Sequence, residues 1–266
     1  MSRRTPLALA ALGLVLLASR ARAQDPNAQS VPSPDDPPAL THSDKVRSST
    51  DASRPPALGP SPAKVNVIVF SDFQCPVCRR TVHATHQIPE EWPGDVRVEF
   101  RPVALPLHRN AENAAAASLA AHRQGKFWEM HDLLFAHQDT LDPDGLTTHA
   151  REVGLDAKRY AKDYADPEIR RRVQEETKLA ARLGATGTPS FLVNGKLVVG
   201  WASWGAFRWQ VEQELNAVNA LLNQGTRLPA THALRAQANA KDEAAFAAYK
   251  AAIIDPPAKA GGAAKR

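Results

Sequence analysis

Val65-Asn66-Val67-Ile68-Val69-Phe70-Ser71-Asp72-Phe73-Gln74-Cys75-Pro76-Val77-Cys78 is the stretch that decides the fold. Its first half is a short, nearly continuous apolar run, the pattern of a strand buried on both faces. Two cysteines separated by two residues follow at once, and the segment from Arg79 to Ile88 can be helical until Pro89. Val96, Val98 and Phe100 then alternate as a second strand. Strand, helix and strand in that order start a mixed α/β sheet.

The chain has no other cysteine. Two are too few for a disulfide scaffold, and a bridge closing so small a loop constrains the unfolded chain little. Chemistry explains the pair better. Thiol–disulfide exchange needs a thiolate, and a free thiol is mostly protonated at neutral pH. Cys75 stands at the predicted start of a helix, where unpaired backbone N–H groups and the helix dipole favour negative charge. That makes it the attacking thiol and the better leaving group. Cys78 lies one turn further in, close enough to close the bridge and resolve a mixed disulfide. Pro76 suits the first helical turn, because the N–H it lacks would be unpaired anyway. The competing readings are a structural bridge, a binding module with an incidental pair, and a metal site of Cys75, Cys78, His83 and His86. The last needs a broken helix, since His83 and His86 point some 60° apart on an intact one. No resident metal or cofactor is expected.

Downstream, helical periodicity covers Asn110–Leu183 in several pieces: Ala111 to Leu119, Phe127 to Leu134, Gly145–Val153, Ala157–Tyr164 and Ile169–Leu183. Ser190-Phe191-Leu192-Val193 and Leu197-Val198-Val199 flank Asn194-Gly195, a strong hairpin signal. Trp204, Phe207, Val211, Leu215, Val218 and Leu222 recur at helical spacing behind Ser203 as N-cap. The order is βαβ, a helical block, then ββα.

That order, with Cys-x-x-Cys opening the first helix, is the thioredoxin fold carrying a helical insertion at about 109–184. Over residues 64–222 the chain resembles the DsbA-like thioredoxin family. The resemblance rests on Ser71-Asp72-Phe73-Gln74-Cys75-Pro76-Val77-Cys78, Lys126-Phe127-Trp128-Glu129-Met130-His131, and Gly187-Thr188-Pro189-Ser190-Phe191 with Asn194-Gly195. It implies disulfide exchange with cysteines of other exported proteins, a membrane or soluble redox partner that recycles the pair, and no cofactor. It also implies that Pro189 is cis beside the cysteines and that Thr188 offers its backbone to a bound substrate; an ordinary trans proline at a strand edge is the alternative. Two departures stand out. Val69 occupies the position where many members carry a buried Glu, a proton acceptor for the inner thiol. Val77 stands where the most oxidising members have His, so a less oxidising couple is expected.

The flanks read differently. The average composition, 43% hydrophobic and 23% charged, is globular, but it hides three distinct stretches. In residues 1–23, Arg3 and Arg4 precede an apolar run from Leu7 to Ala18, and Ala21-Arg22-Ala23 offers a cleavage site before Gln24. This predicts a cleaved signal peptide and a periplasmic or otherwise exported product; the run is short of the ~20 residues of a membrane span. The formal charge of +5 falls to +1 without the four arginines of that segment, so no nucleic-acid partner is expected. Residues 24–63, with nine prolines, predict a disordered linker. Residues 223–266 form an Ala- and Lys-rich extension with one amphipathic candidate at Asp242 to Ile254, and a mobile tail is the preferred expectation. A monomer is expected. An isomerase, which needs a dimerisation module, and a reductase are the rivals within the same chemistry; a Cys/His metal-binding protein is the rival outside it. His131 and His137 are expected to share one helix face as satisfied or solvent-facing groups, and Trp204 to pack in the core beside Trp201 and Trp209.

Overall fold

The computed structural model describes residues 51–255. The expected signal peptide, most of the Pro-rich segment and the last residues of the extension lie outside them.

Five strands form one sheet in the order β1-β3-β2-β4-β5. The central strand β2, Val65–Ser71, runs parallel to β3, Val96–Pro102, with Val67 opposite Val98. On its other side it pairs antiparallel with β4, Ser190–Val193, so Val67 also faces Val193. β4 turns through Asn194 and Gly195, both at positive φ, into β5, Lys196–Val199. Both turn residues need the left-handed region that Asn and Gly tolerate best, which is why this dipeptide makes a tight hairpin. Being hydrogen-bonded on both sides, β2 is buried almost throughout, as its apolar run predicts.

The helical insertion comprises α3 (Ala111–His122), α4 (Phe127–Ala136), α5 (Pro143–Glu152), α6 (Ala157–Tyr164) and α7 (Pro167–Arg182), and α1 (Pro76–Arg79) and α2 (Val82–Glu91) precede it on either side of Thr81. Three of its helices start on Asp caps: Asp142, Asp156 and Asp166 accept backbone N–H bonds of the first turn. Ser203 does the same for α8, Trp204–Asn223. The sheet and insertion share one core, where Phe73, Phe100, Phe127, Met130, Leu134 and Phe135 meet the valines of β2 and β3.

Four expectations need correction. First, order begins before Val65: Ala57–Leu58 form β1, pairing antiparallel with β3 on the sheet edge. Prolines are tolerated on an edge strand, and Pro56 contributes its carbonyl to Phe100 N–H. Gly59, at positive φ, permits the close approach, since a Cβ there would lie 2.3 Å from Val96 O. Second, the helix after the cysteines is two pieces, α1 (Pro76–Arg79) and α2 (Val82–Glu91). Thr81 hydroxyl donates to Cys78 O at 2.8 Å and closes the first turn. Pro89 lies inside α2, two residues from its end at Glu91, where one missing N–H costs a single bond.

Third, the segment beyond Asn223 is docked up to Asp255. It forms α9 (Leu228–Asn239), α10 (Glu243–Tyr249) and a π-helical turn (Lys250–Ile254). Ala236 and Tyr249 pack with Ile68, Phe70, Leu192, Leu179 and Leu183 on the sheet face opposite the cysteines. Glu214 of α8 accepts from Arg235 of α9 at 2.8 Å and from Asn239 at 2.9 Å. An Ala-rich helix shows little periodicity because its small residues suit either a packed or a solvated face. Fourth, His131 is buried while His137 is exposed and stacks on His149, because α4 ends at Ala136 and His137 leaves the helix. Among the tryptophans, Trp201 and Trp204 pack against the core that holds the cysteines, and Trp209 is 52% exposed.

Candidate active site

The C-terminal end of β2 carries the chain directly into the cysteine pair. Asp72 makes this turn: its backbone O accepts from Cys75 N, and its Oδ1 accepts from Gln74 N at 2.8 Å. Cys75 is thereby the N-cap of α1, in extended conformation, with Pro76 in the first turn. Cys75 and Cys78 are both buried as free thiols, yet Pro76 between them is exposed and Val77 partly so. Cys75, 6% exposed, lies just beneath the surface beside the exposed Pro76.

Thr188-Pro189, 113 residues further on, arrives beside them. The Thr188–Pro189 bond is cis, and Cys75 Sγ lies 3.5 Å from Thr188 O. Thr188 is half-buried and Pro189 buried at the entry to β4. Cys75, Cys78, Thr188 and Pro189 therefore come together, with Pro76 and Val77 the more exposed residues of the cysteine turn.

The two thiols differ sharply. Cys75 is held down at about 5, first because Cys78 hydrogen-bonds to its sulfur, and further by Thr188 and by the backbone N–H groups of Val77 and Cys78; burial opposes this. Cys78 is pushed up, chiefly by burial and then by the bond it gives to Cys75. The Ser71 hydroxyl and the Asp72 backbone oppose that rise without overcoming it. One thiolate and one thiol, side by side, is the arrangement that nucleophilic attack followed by resolution requires.

Residues 66–215 match the DSBA-like thioredoxin domain family. The chain belongs to that family. Among solved structures, a thioredoxin-like oxidoreductase from Silicibacter pomeroyi is 34% identical, with a TM-score of 0.56, covering 61% of this chain and 93% of the other. BdbD from Bacillus subtilis, in its oxidised form, shares the fold at 23% identity and a TM-score of 0.55, covering 64% of this chain and 96% of that one. Among curated proteins, a Na(+)/H(+) antiporter NhaA 3 from Salinispora tropica is 38% identical over 55% of this chain. The match spans only 22% of that protein, so antiporter activity stays with the relative. No helix among the described residues is long and apolar enough to cross a membrane. Disulfide exchange with substrate proteins is the activity of DsbA-like proteins, and a cysteine pair of the spacing it uses is present here.

The supporting groups around the pair were not singled out from the sequence. Asp72, wholly buried, accepts from Leu105 N and from His108 Nδ1, both at 2.9 Å, and so fastens the loop after β3 against the site. Gln74 Oε1 accepts from Asn110 N at 2.7 Å. Gln138, between α4 and α5, donates from one amide nitrogen to Phe73 O at 2.8 Å and to Cys75 O at 2.9 Å. It clamps the cysteine turn from the helical insertion. Only Asp72 had a legible signal, as a small capping residue before Cys-x-x-Cys; Gln138 lies 60 residues away in a polar turn. Val69 is fully buried in the core, so no carboxylate occupies that place, and Ser71 is the polar side chain nearest Cys78 on β2. The helix break that a metal site of both cysteines and both histidines needs is present at Thr81, yet His86 turns to Asp132 on α4, at 2.8 Å, and not to the cysteines.

Proposed function

We propose that the chain is an exported thiol–disulfide oxidoreductase acting on cysteines of other exported proteins through Cys75 and Cys78. The depressed thiol of Cys75 beside the raised thiol of Cys78 carries this reading. In the oxidising direction a substrate thiolate attacks Cys75 of the Cys75–Cys78 bridge, forming a mixed disulfide and releasing the Cys78 thiolate, which takes up a proton. A second substrate thiolate attacks the substrate sulfur of that mixed disulfide. The substrate leaves oxidised by two electrons, and Cys75 leaves as the thiolate. A redox partner, membrane-bound or soluble, must remove those two electrons to close the cycle. In this reading a substrate backbone binds along Thr188 and Pro189, and the 3.5 Å from Thr188 O to Cys75 Sγ supports it.

Thiolate stabilisation favours the reduced pair, which drives electrons from substrate into protein. Cys75 at about 5 lies between thioredoxin, near 7, and DsbA, near 3.5. Titration against glutathione should therefore return a potential between roughly −270 and −120 mV. A value at or beyond either end removes the intermediate assignment. Cys75→Ser should abolish thiol oxidation, whereas Cys78→Ser should accumulate mixed disulfides visible on a non-reducing gel. Full activity in Cys75→Ser would sink the mechanism. Export through residues 1–23 is tested by the N-terminal sequence of the mature protein, expected to begin at Gln24, and a single protomer by its mass in solution.

A further inference from the structure

We propose that His86, His131 and Asp132 form a binding site for a divalent transition-metal cation of the zinc type. His86 comes from α2, the helix that follows the cysteine turn, and the other two come from α4. Asp132 Oδ1 lies 2.8 Å from His86 Nε2 and 2.8 Å from His131 Nδ1, and the three ligand atoms all fall within 4.8 Å of one another. Around a tetrahedral ion with bonds of roughly 2.0–2.1 Å, ligand atoms stand about 3.3 Å apart. Shifts of a few tenths of an ångström would open the cluster enough.

The donor set selects the class of ion. Two imidazoles and one carboxylate suit zinc, cobalt, nickel or copper(II), whereas calcium and magnesium prefer oxygen alone and copper(I) prefers sulfur. The groups are held in ligand form: burial favours neutral His131, and its bonds to both histidines keep Asp132 ionised despite burial.

His131 supplies the second observation. It is wholly surrounded, with Phe100, Phe135 and Trp128 rings at 4.7, 4.9 and 5.2 Å, and its Nε2 has no hydrogen-bond partner. With the proton on Nδ1, that Nε2 is a buried acceptor left unmade. With the proton on Nε2, it meets aromatic rings, a weak but favourable contact. Nδ1 then turns a lone pair toward the Asp132 carboxylate at 2.8 Å, an arrangement that a cation between them relieves. Binding thus needs each ring to move its proton to the far nitrogen, with no net proton released. The Asp132 side chain is 25% exposed, so this corner of the cluster is in contact with solvent.

The test uses the full chain with Cys75→Ser and Cys78→Ser, so that no thiolate competes for the ion. Cobalt(II) titration should give visible absorption saturating at one equivalent, displaced by zinc, and zinc should raise the melting temperature. His86→Gln and Asp132→Asn should each weaken cobalt binding by at least the roughly 10- to 100-fold that loss of even a ligand's partner causes. Asp132→Asn keeps an acceptor for both imidazoles, so it should fold. Absence of cobalt absorption, or unchanged affinity in both variants, overturns the proposal.

Discussion

On the sheet face that carries the cysteines, β2 sends Val65, Val67 and Val69 into a core of aromatic rings from β3 and the helical insertion. On the opposite face the same strand sends Ile68 and Phe70 against the end of α7, Ala236 of α9 and Tyr249 of α10. The first face is covered by segments inside the family match, while α9, α10 and the π-helical turn lie beyond residue 215, where that match ends. Reactivity and cover are thus supplied by different parts of the chain. The Cys75 thiolate depends on Cys78, Thr188 and the first turn of α1, none of which touches the C-terminal helices in the second core. The two faces should therefore respond separately to mutation.

Removing everything after Gln224 is the severest way to break that separation. It strips cover from Ile68, Phe70 and Leu192, each 2% exposed or less. Exposing three large apolar side chains costs about 1.5–3 kcal/mol each, roughly 5 kcal/mol or more together, comparable to the whole stability of many domains. The truncated chain should unfold or aggregate at temperatures where the full chain is stable, as circular dichroism and light scattering would show. A melting temperature within a few degrees of the parent would mean that α7 alone closes this face.

How far each face could be read from the sequence follows the same division. The cysteine-bearing face was legible because its residues have few alternatives: a continuous apolar strand, Cys-x-x-Cys, Thr188-Pro189 and Asn194-Gly195 each impose a local conformation. Ser203 and the 204–222 periodicity were equally direct. The opposite face was not, because Ala236 and its neighbours on α9 carry no apolar stripe strong enough to separate a docked helix from a solvated one. Nor could spacing reveal Gln138 or the Glu214–Arg235 pair, since contacts between residues 21 to 65 apart depend on how finished elements pack. The β1 edge was hidden in proline-rich sequence for a related reason: an edge strand of two residues leaves almost no period to detect.

A smaller lever acts on the joint between α8 and α9. Glu214 is 3% exposed and accepts two bonds from Arg235, so Arg235→Ala leaves a carboxylate buried with Asn239 as its remaining partner. Breaking a buried pair from one side costs 3–5 kcal/mol, and about 3 kcal/mol is expected because the Arg235 side chain is 22% exposed. Denaturant melts should show that loss, while the ultraviolet titration of the Cys75 thiolate keeps its midpoint near 5. A shifted midpoint would show that the two faces communicate. Replacing both Glu214 and Arg235 by leucine should recover most of the lost stability.

The mildest perturbation falls where the two regions touch. Gly195 of the β4–β5 turn has φ of +85°, and a Cβ there would come within 2.9 Å of Ala236 Cα on α9. Gly195→Ala therefore meets two obstacles, an unfavourable backbone region and a backbone neighbour that cannot rotate away, for a cost of about 1–3 kcal/mol. Gly195→Asn separates them, because Asn accepts positive φ far better but carries the same Cβ. If close packing of α9 on the hairpin dominates, both variants should lose similar stability in urea melts. A markedly milder Asn variant would assign the cost to the turn itself. In either case Val69 and the cysteine turn lie on the other side of β2, so Gly195→Ala should leave the rate of thiol oxidation within about twofold of the parent, the size of effect expected from an independent site.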